Sequence, residues 1–84
     1  MKTHPNALHR QELLTLLYTA RAARPTAGWE NERVLAGQAP PAGACPDIAF
    51  ALDVLTELEW IKRDGYMVRI TGAGVLACEA ALTA

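Results

Sequence analysis

The stretch IKRDGYMVRI, residues 61–70, places an Asp-Gly pair between two short runs of residues that favour β-strands. This arrangement is typical of a hairpin whose two-residue loop adopts a type I′ turn. With Asp64 and Gly65 in the loop, Ile61 is expected to lie opposite Val68. Because side chains alternate along a strand, the sequence predicts a core-facing side of Tyr66, Val68 and Ile70 and an outward side of Lys62, Met67 and Arg69.

Two helices are predicted before the hairpin, in the first half of the chain. Leucines at helical spacing indicate a first helix over residues 5–24. Pro5 suits its first turn and Pro25 ends it, because a proline disfavours the helical conformation of the residue before it. Acidic residues in the first turn and a glycine after the last residue indicate a short second helix over residues 29–36.

A loop and two further helices complete the predicted order of elements. Three prolines and one glycine in residues 38–46 exclude both helix and strand there. A third helix is predicted over residues 47–60, which contain neither glycine nor proline. The last helix is predicted over residues 72–82, with Thr71 as its N-terminal cap.

The predicted core takes one apolar face from each of the three longer helices. The first helix contributes Leu13, Leu14, Leu16, Leu17 and Ala20, and the last contributes Val75, Cys78 and Leu82. The third helix contributes Ile48, Ala51, Leu52, Val54, Leu55 and Leu58. Its opposite side is expected to carry Ala49, Phe50, Asp53, Thr56, Glu57 and Trp60.

Length and composition are those of one small globular domain. The chain has 84 residues, too few to divide into separate cores, and the folded part is expected to span residues 5–82. With 51% hydrophobic and 20% charged residues, it is too apolar for intrinsic disorder. Sixteen alanines each bury little area, so the core is thin and a homodimer is expected.

No targeting or membrane segment is recognised in the sequence. The first residues lack the apolar stretch of a secretory signal, and no apolar run approaches the roughly 20 residues that cross a bilayer. A cytoplasmic location without a membrane partner is therefore expected. Cys45 and Cys78 stand alone in the sequence, and we interpret them as thiols that pack in the fold.

The segments LTELEWIKRDG, residues 55–65, and VRITGAG, residues 68–74, resemble a pattern of the winged helix-turn-helix superfamily. That pattern is L-x-x-L-x-x-x-G-[LI]-[IV]-x-R, then a hairpin, then [LI]-T-x-x-G. The similarity covers residues 8–82 and is to small bacterial proteins of the MarR, ArsR and PadR kind. Short phage-encoded members carry an Asn-Glu pair in the second helix, matched here by Asn31 and Glu32.

The resemblance implies a winged helix-turn-helix fold, mainly α with a two-stranded β-hairpin, and a small DNA-associated transcriptional regulator of bacterial or phage type. In such proteins the third helix resembles a recognition helix in the major groove of double-stranded DNA, and the hairpin is the wing. A strand usually separates the first two helices of such a fold, and residues 24–28 do not look like one. The connection over residues 38–46 is also longer than the usual tight turn.

Charge places the expected DNA contact on the wing and not on the third helix. Between residues 46 and 60 there is no Lys, Arg, Asn or Gln, and there are four carboxylates, which phosphate repels. Thr56 is the one neutral side chain there that could read a base. The predicted DNA-binding residues are Thr56, the wing residues Lys62, Arg63 and Arg69, and a basic edge of Arg21, Arg24 and Arg33. The alternative is that these are ordinary solvated charges.

Two large aromatic side chains on the outward side of the third helix indicate a different use of that helix. Phe50 and Trp60, with Asp53 and Glu57, would form an acidic-aromatic interface for a protein partner or a second copy of the chain. In that alternative the chain does not bind DNA. Another alternative is that the loop over residues 38–46 or the N-terminal arm covers the aromatic rings.

Nothing in the sequence predicts an enzyme, a metal site or a cofactor. His9 has no nucleophile or carboxylate beside it in the sequence, so a structural histidine is expected. A metal site of His9, Cys45 and Cys78 is supported by no Cys-x-Cys or His-x-x-x-His spacing. The segment from Gly72 to Gly74 is too short for a phosphate-binding loop and predicts close backbone packing after the hairpin.

Overall fold

The computed structural model describes residues 4–40 and 48–83 as four helices and one three-stranded antiparallel sheet. The strand order is β1-β3-β2, so β3 is central. The predicted mainly helical architecture with a hairpin is confirmed, and a third strand joins it. In chain order the elements are α1 (Pro5–Ala23), β1 (Glu30–Asn31), α2 (Glu32–Gln38), α3 (Ala49–Glu57), β2 (Ile61–Asp64), β3 (Met67–Ile70) and α4 (Gly72–Thr83).

Helix α1 begins and ends where its prolines predict. His4 is the N-cap, and its Nδ1 accepts a hydrogen bond from the backbone N–H of Asn6 at 3.1 Å. Pro5 occupies the first turn, where its missing N–H costs nothing. Arg24 ends the helix, and its backbone N–H donates to the carbonyl oxygen of Ala20 at 3.1 Å.

The predicted start of the second helix at Trp29 is wrong. Glu30 and Asn31 instead pair antiparallel with Val68 and Met67 of the central strand. Asn31 is then the N-cap of α2, because its side-chain oxygen accepts a hydrogen bond from the backbone N–H of Arg33 at 2.8 Å. A strand therefore does lie between α1 and α2, just after residues 24–28, which do not look like one.

Helix α3 is shorter than the predicted span of residues 47–60. Residue 47 lies outside the described residues, and the helix ends at Glu57. Glu59 has a φ of +62°, the backbone N–H of Trp60 donates to Leu55, and that of Glu59 donates to Thr56. These are the two bonds of a Schellman motif, with a glutamate where glycine is usual. No glycine or proline marks this end, so the sequence carried no stop signal.

The hairpin is present, but its loop is one residue further along the chain than predicted. Asp64 pairs with Met67, so Gly65 and Tyr66 form the loop, and Ile61 lies opposite Ile70 instead of Val68. Only Gly65 of the two has a positive φ, which fits a type II′ turn better than type I′. Tyr66 is consequently 64% exposed and does not face the core, whereas Val68 and Ile70 are buried as predicted.

Helix α4 packs closely against the segment that joins α3 to β2. Thr71 caps it as predicted, since its Oγ1 accepts a hydrogen bond from the backbone N–H of Gly74 at 3.1 Å. A Cβ at Gly74 would overlap the carbonyl oxygen of Trp60 and the side chain of Ile70, so the close backbone packing expected for Gly72 to Gly74 is confirmed at Gly74 but not at Gly72, which has open space around it. Leu82, predicted in the core, is 61% exposed.

The core lies between the helices and the inner face of the sheet. Leu58 was predicted to belong to it but is 46% exposed, because the helix ends one residue earlier and turns that side chain outward. Among the residues that the structure describes, no helix is long and apolar enough to cross a membrane. The buried apolar residues are Leu13, Leu14, Leu17, Leu35, Ala39, Ile48, Ala51, Leu52, Leu55, Ile61, Val68, Ile70 and Cys78.

Candidate functional site

The exposed side of α3 carries one aromatic and two acidic side chains in one stripe. Phe50, Asp53 and Glu57 are separated by three and four residues, the spacing that aligns side chains on one face of a helix. All three are exposed, and Phe50 leaves 45% of its surface in water. We call these three residues the α3 outer face. Ala51, Leu52 and Leu55 hold the opposite side of the helix in the core.

Arg63 connects the α3 outer face to α2 and to the hairpin. From β2, its guanidinium donates to Oε2 of Glu32 at 2.9 Å and to Oδ1 of Asp53 at 3.3 Å. Glu32 lies in the first turn of α2, so one arginine holds both helices against the sheet. The sequence did not indicate Glu32, because 31 residues separate it from its partner.

Trp60 does not lie on the outward face of α3, and the hydroxyl proton of Thr56 is already used within the helix, so neither residue is placed as the sequence predicts. Trp60 follows the end of α3, and its half-buried ring packs against the core, so it is not part of the outward face of the helix. The Oγ1 of Thr56 donates to the carbonyl oxygen of Leu52 at 2.7 Å, which occupies its one hydroxyl proton. The proposed acidic-aromatic interface is therefore reduced to Phe50, Asp53 and Glu57.

Two arginines of the predicted DNA-binding set are hydrogen-bonded to backbone carbonyl groups. Arg69 donates through Nε to Ala27 and through Nη2 to Pro25, the second at 3.2 Å, and so fastens the loop after α1 to the sheet. Arg21 donates to the carbonyl oxygen of Ile70 at 3.0 Å. Because these bonds link distant parts of the chain, both arginines have a structural role.

Two further arginines of that set, in the α1–β1 loop and in α2, also have partners within the chain. Arg24 forms an ion pair with Glu30 at 3.1 Å. The guanidinium of Arg33 lies 5.7 Å from the ring centroid of Tyr66, a distance typical of a cation–π contact. Both contacts are at the surface, where such interactions are weak.

Lys62 is the one predicted wing cation to which the described residues offer no ion pair or hydrogen-bond partner. It lies opposite Arg69 in the sheet, whereas Arg63 shares its side of the sheet with Val68 and Ile61. Lys62 therefore points away from the core side, on which α3 packs. The predicted cations are thus distributed over several surfaces and do not converge beside α3.

The surface formed by α3 and β2 is acidic as a whole. The carboxylates Asp53, Glu57 and Glu59 outnumber the one cation Arg63, a net charge of −2; Lys62 and Asp64 lie on the other side of the sheet and cancel each other. Neither Glu57 nor Glu59 has a side-chain partner among the described residues. This surface would repel phosphate groups and attract cations.

Two polar contacts lie away from this surface, one buried and one exposed. His9 is 5% exposed, and its Nε2 donates to the carbonyl oxygen of Ala39 at 2.8 Å, which ties α1 to the end of α2. Tyr18 donates from its hydroxyl to Oε2 of Glu79 at 2.8 Å, and this hydrogen bond to a carboxylate, with its negative charge, raises the pKa of Tyr18 above 10.0.

No metal centre is assembled in the described part of the chain. No group of three His, Cys, Asp or Glu side chains there is placed to hold an ion. Cys78 is buried with its Sγ 4.0 Å from Oγ1 of Thr15, as a packing residue. Cys45, the other cysteine of the sequence, lies outside the described residues.

Comparison of the chain with models of protein families, with curated proteins and with solved structures gives no match.

Proposed function

We propose that the chain is a winged helix-turn-helix module whose α3 outer face binds a basic, partly apolar segment of a partner protein. The order of elements supports the first half of the proposal. A strand separates α1 from α2, the α2–α3 pair packs beside the sheet, and a hairpin follows α3 directly. This is the order of a winged helix, in which α3 takes the place of the recognition helix.

The charge of α3 carries the second half of the proposal. Its exposed side presents Asp53 and Glu57 and no cation. The nearest cation, Arg63, is already paired with two carboxylates. A helix of this charge opposes entry into a groove lined by phosphates. The same charge is complementary to lysine and arginine side chains of a protein.

Phe50 adds an exposed aromatic ring to this acidic surface, at the N-terminal end of α3. An exposed aromatic ring with charged residues around it is a common anchor of protein interfaces, where it fills a pocket or packs on apolar side chains of the partner. A second copy of the chain is disfavoured as the occupant, because a two-fold axis through this face would place the same carboxylates opposite each other. A basic amphipathic segment can pack apolar side chains on the ring and pair its cations with the carboxylates.

A binding titration with a labelled peptide tests this proposal. The probe is an amphipathic peptide of leucine and lysine, and fluorescence anisotropy reports its binding. We expect Glu57→Lys to weaken binding about tenfold, since it places a like charge in the contact. Glu12→Lys is the matched control, because it makes the same charge change on an exposed site of α1 and should leave binding nearly unchanged. Equal losses for both variants, or no binding, would overturn the proposal.

Duplex DNA is the second candidate ligand, bound through the wing by the basic residues that the sequence predicts. The observation that favours it is Lys62, which is exposed and has no acidic partner among the described residues. Arg63 and Arg69 would have to leave existing partners to reach a phosphate. For Arg63 the exchange costs little, because surface ion pairs contribute at most about 1 kcal/mol.

Gel retardation at low salt tests the DNA candidate. Binding that falls steeply with salt and weakens on Lys62→Gln, but not on Gln38→Ala in α2, would support a transcriptional regulator that contacts phosphates through the wing. If no duplex is retarded, duplex DNA is excluded as a ligand. Light scattering of the same samples measures whether the chain is a homodimer.

A further inference from the structure

A pocket lies on the side of the molecule where α1 faces the end of α3. It has a volume of about 220 Å³. Its walls include Leu14 from α1, Leu55 from α3, and Leu58 and Trp60 from the segment after α3. Neither proposed function uses this pocket.

Arg10 is the one charged residue in the lining of this mainly apolar pocket, and Gln11 is a second polar one. Arg10 of α1 is half-buried at its edge, and no carboxylate is among the lining residues. The described residues offer the Arg10 guanidinium neither an ion pair nor a hydrogen bond. This distinguishes Arg10 from Arg21, Arg24, Arg63 and Arg69, each of which has a partner within the chain.

We propose that this pocket binds a small monocarboxylate with an apolar body, with Arg10 pairing to the carboxylate. A guanidinium presents a planar set of N–H donors that matches a carboxylate in two parallel hydrogen bonds. The leucines and the indole ring of Trp60 remove the apolar body from water. An ion pair at the edge of such a pocket is stronger than one in open solvent, because the surroundings are less polar.

Size and charge restrict the ligand further. Pockets for drug-sized ligands occupy about 300–1,000 Å³, so this smaller one takes a smaller molecule, with about five carbons beside the carboxylate. A dianion such as phosphate is disfavoured, because one cation faces it and the remaining walls are mainly apolar. A neutral alcohol of the same length would fill the volume but leave Arg10 without an anion.

The test is a fluorescence titration with sodium hexanoate, using Trp60 as the reporter. Trp29→Phe leaves Trp60 as the single tryptophan of the chain. For a ligand of this size we expect a saturable change in emission with a Kd of about 1 mM. Hexanol, which has the same length and no charge, should bind at least about tenfold more weakly. The absence of a saturable change, or equal affinities for the two compounds, would overturn the proposal.

Variants in the same background locate the binding. Arg10→Met keeps the length and the apolar stem of the side chain, and it should weaken hexanoate about tenfold while leaving the weak binding of hexanol unchanged. Arg33→Met removes a cation from α2 and should bind hexanoate with the same affinity as the Trp29→Phe protein. Circular dichroism checks that both variants are folded. If Arg10→Met is not folded, Arg10→Gln replaces it in the titration. Unchanged affinity in the folded Arg10 variant, or equal loss in both variants, would contradict the assignment.

Discussion

At the scale of single residues, long-range contacts of a few polar side chains hold the fold together. Arg69, Arg21 and His9 all donate to backbone carbonyl groups that lie 30 or more residues away in the chain. The sequence makes both arginines candidates for DNA binding, Arg69 as a wing residue and Arg21 as part of a basic edge from the first two helices. It does not reveal their actual partners, because a backbone carbonyl group carries no signal in the sequence.

His9 is expected to contribute measurably to stability. Its replacement by alanine leaves the buried carbonyl group of Ala39 without a donor, which lowers the free energy of unfolding by about 1–3 kcal/mol. His9→Gln should recover part of this loss, since its amide nitrogen is also a donor. Urea denaturation of the three proteins measures the effect. Equal stability of His9→Ala and the wild type would show that the contact is unimportant.

Tyr18 is expected to make stability depend on alkaline pH. Its pKa in the folded chain is above the value of 10.0 that applies to the unfolded chain, because its hydroxyl donates to Glu79. The resulting stability is complete below pH 10 and is lost as the pH rises through the folded pKa. Urea denaturation at increasing pH should therefore show that Tyr18→Phe loses less free energy of unfolding than the wild type does. Equal losses would contradict this linkage.

At the scale of elements, the sequence predicts starts and turns better than it predicts ends. Pro5, Pro25, Thr71 and the glycine of the hairpin loop have direct effects on the backbone, and each marks a boundary within one residue of the observed one. The end of α3 has no such residue. Because α3 ends earlier than predicted, Trp60 lies off the helix and Leu58 lies outside the core. The predicted interface was therefore partly wrong.

The end of α3 is strained, and a glycine should relieve the strain. Glu59 holds a φ of +62°, which costs an L-residue about 1–2 kcal/mol relative to glycine. Glu59→Gly should therefore raise the free energy of unfolding by about 1 kcal/mol. In contrast, Glu57→Gly, inside the last turn of the helix, should lower it by about 1 kcal/mol. Thermal denaturation of both variants measures the difference, and a loss of stability in Glu59→Gly would contradict the assigned conformation.

Arg63 is expected to stabilise the contact between α2, α3 and the hairpin. Arg63→Met removes both ion pairs and should lower the free energy of unfolding by about 0.5–1 kcal/mol, with a smaller difference at high salt. Arg63→Lys keeps the charge but not the paired geometry, so its free energy of unfolding should lie between those of Arg63→Met and the wild type. Chemical denaturation at low and high salt measures this, and a loss independent of salt would assign the effect to packing instead.

At the scale of the whole molecule, the sequence predicts the order of elements but not where its charges meet. By residue count the third helix is acidic and the wing is basic, and both predictions are correct as descriptions of composition. Folding then places Lys62 on the other side of the sheet from α3 and pairs Arg63 with Glu32 and Asp53. The cations are dispersed, whereas the carboxylates near α3 remain exposed.

Backbone amide shifts, recorded by NMR while the nitrogen-labelled chain is titrated with the lysine-leucine peptide, show whether α3 is the binding surface. We expect the largest shifts on residues 50–57, and we expect Phe50→Ala to reduce them without changing the fold. Duplex DNA, titrated in the same way, should shift these residues little. Largest shifts with DNA on α3, or no peptide-dependent shifts there, would contradict the claim that this helix is a protein-binding surface.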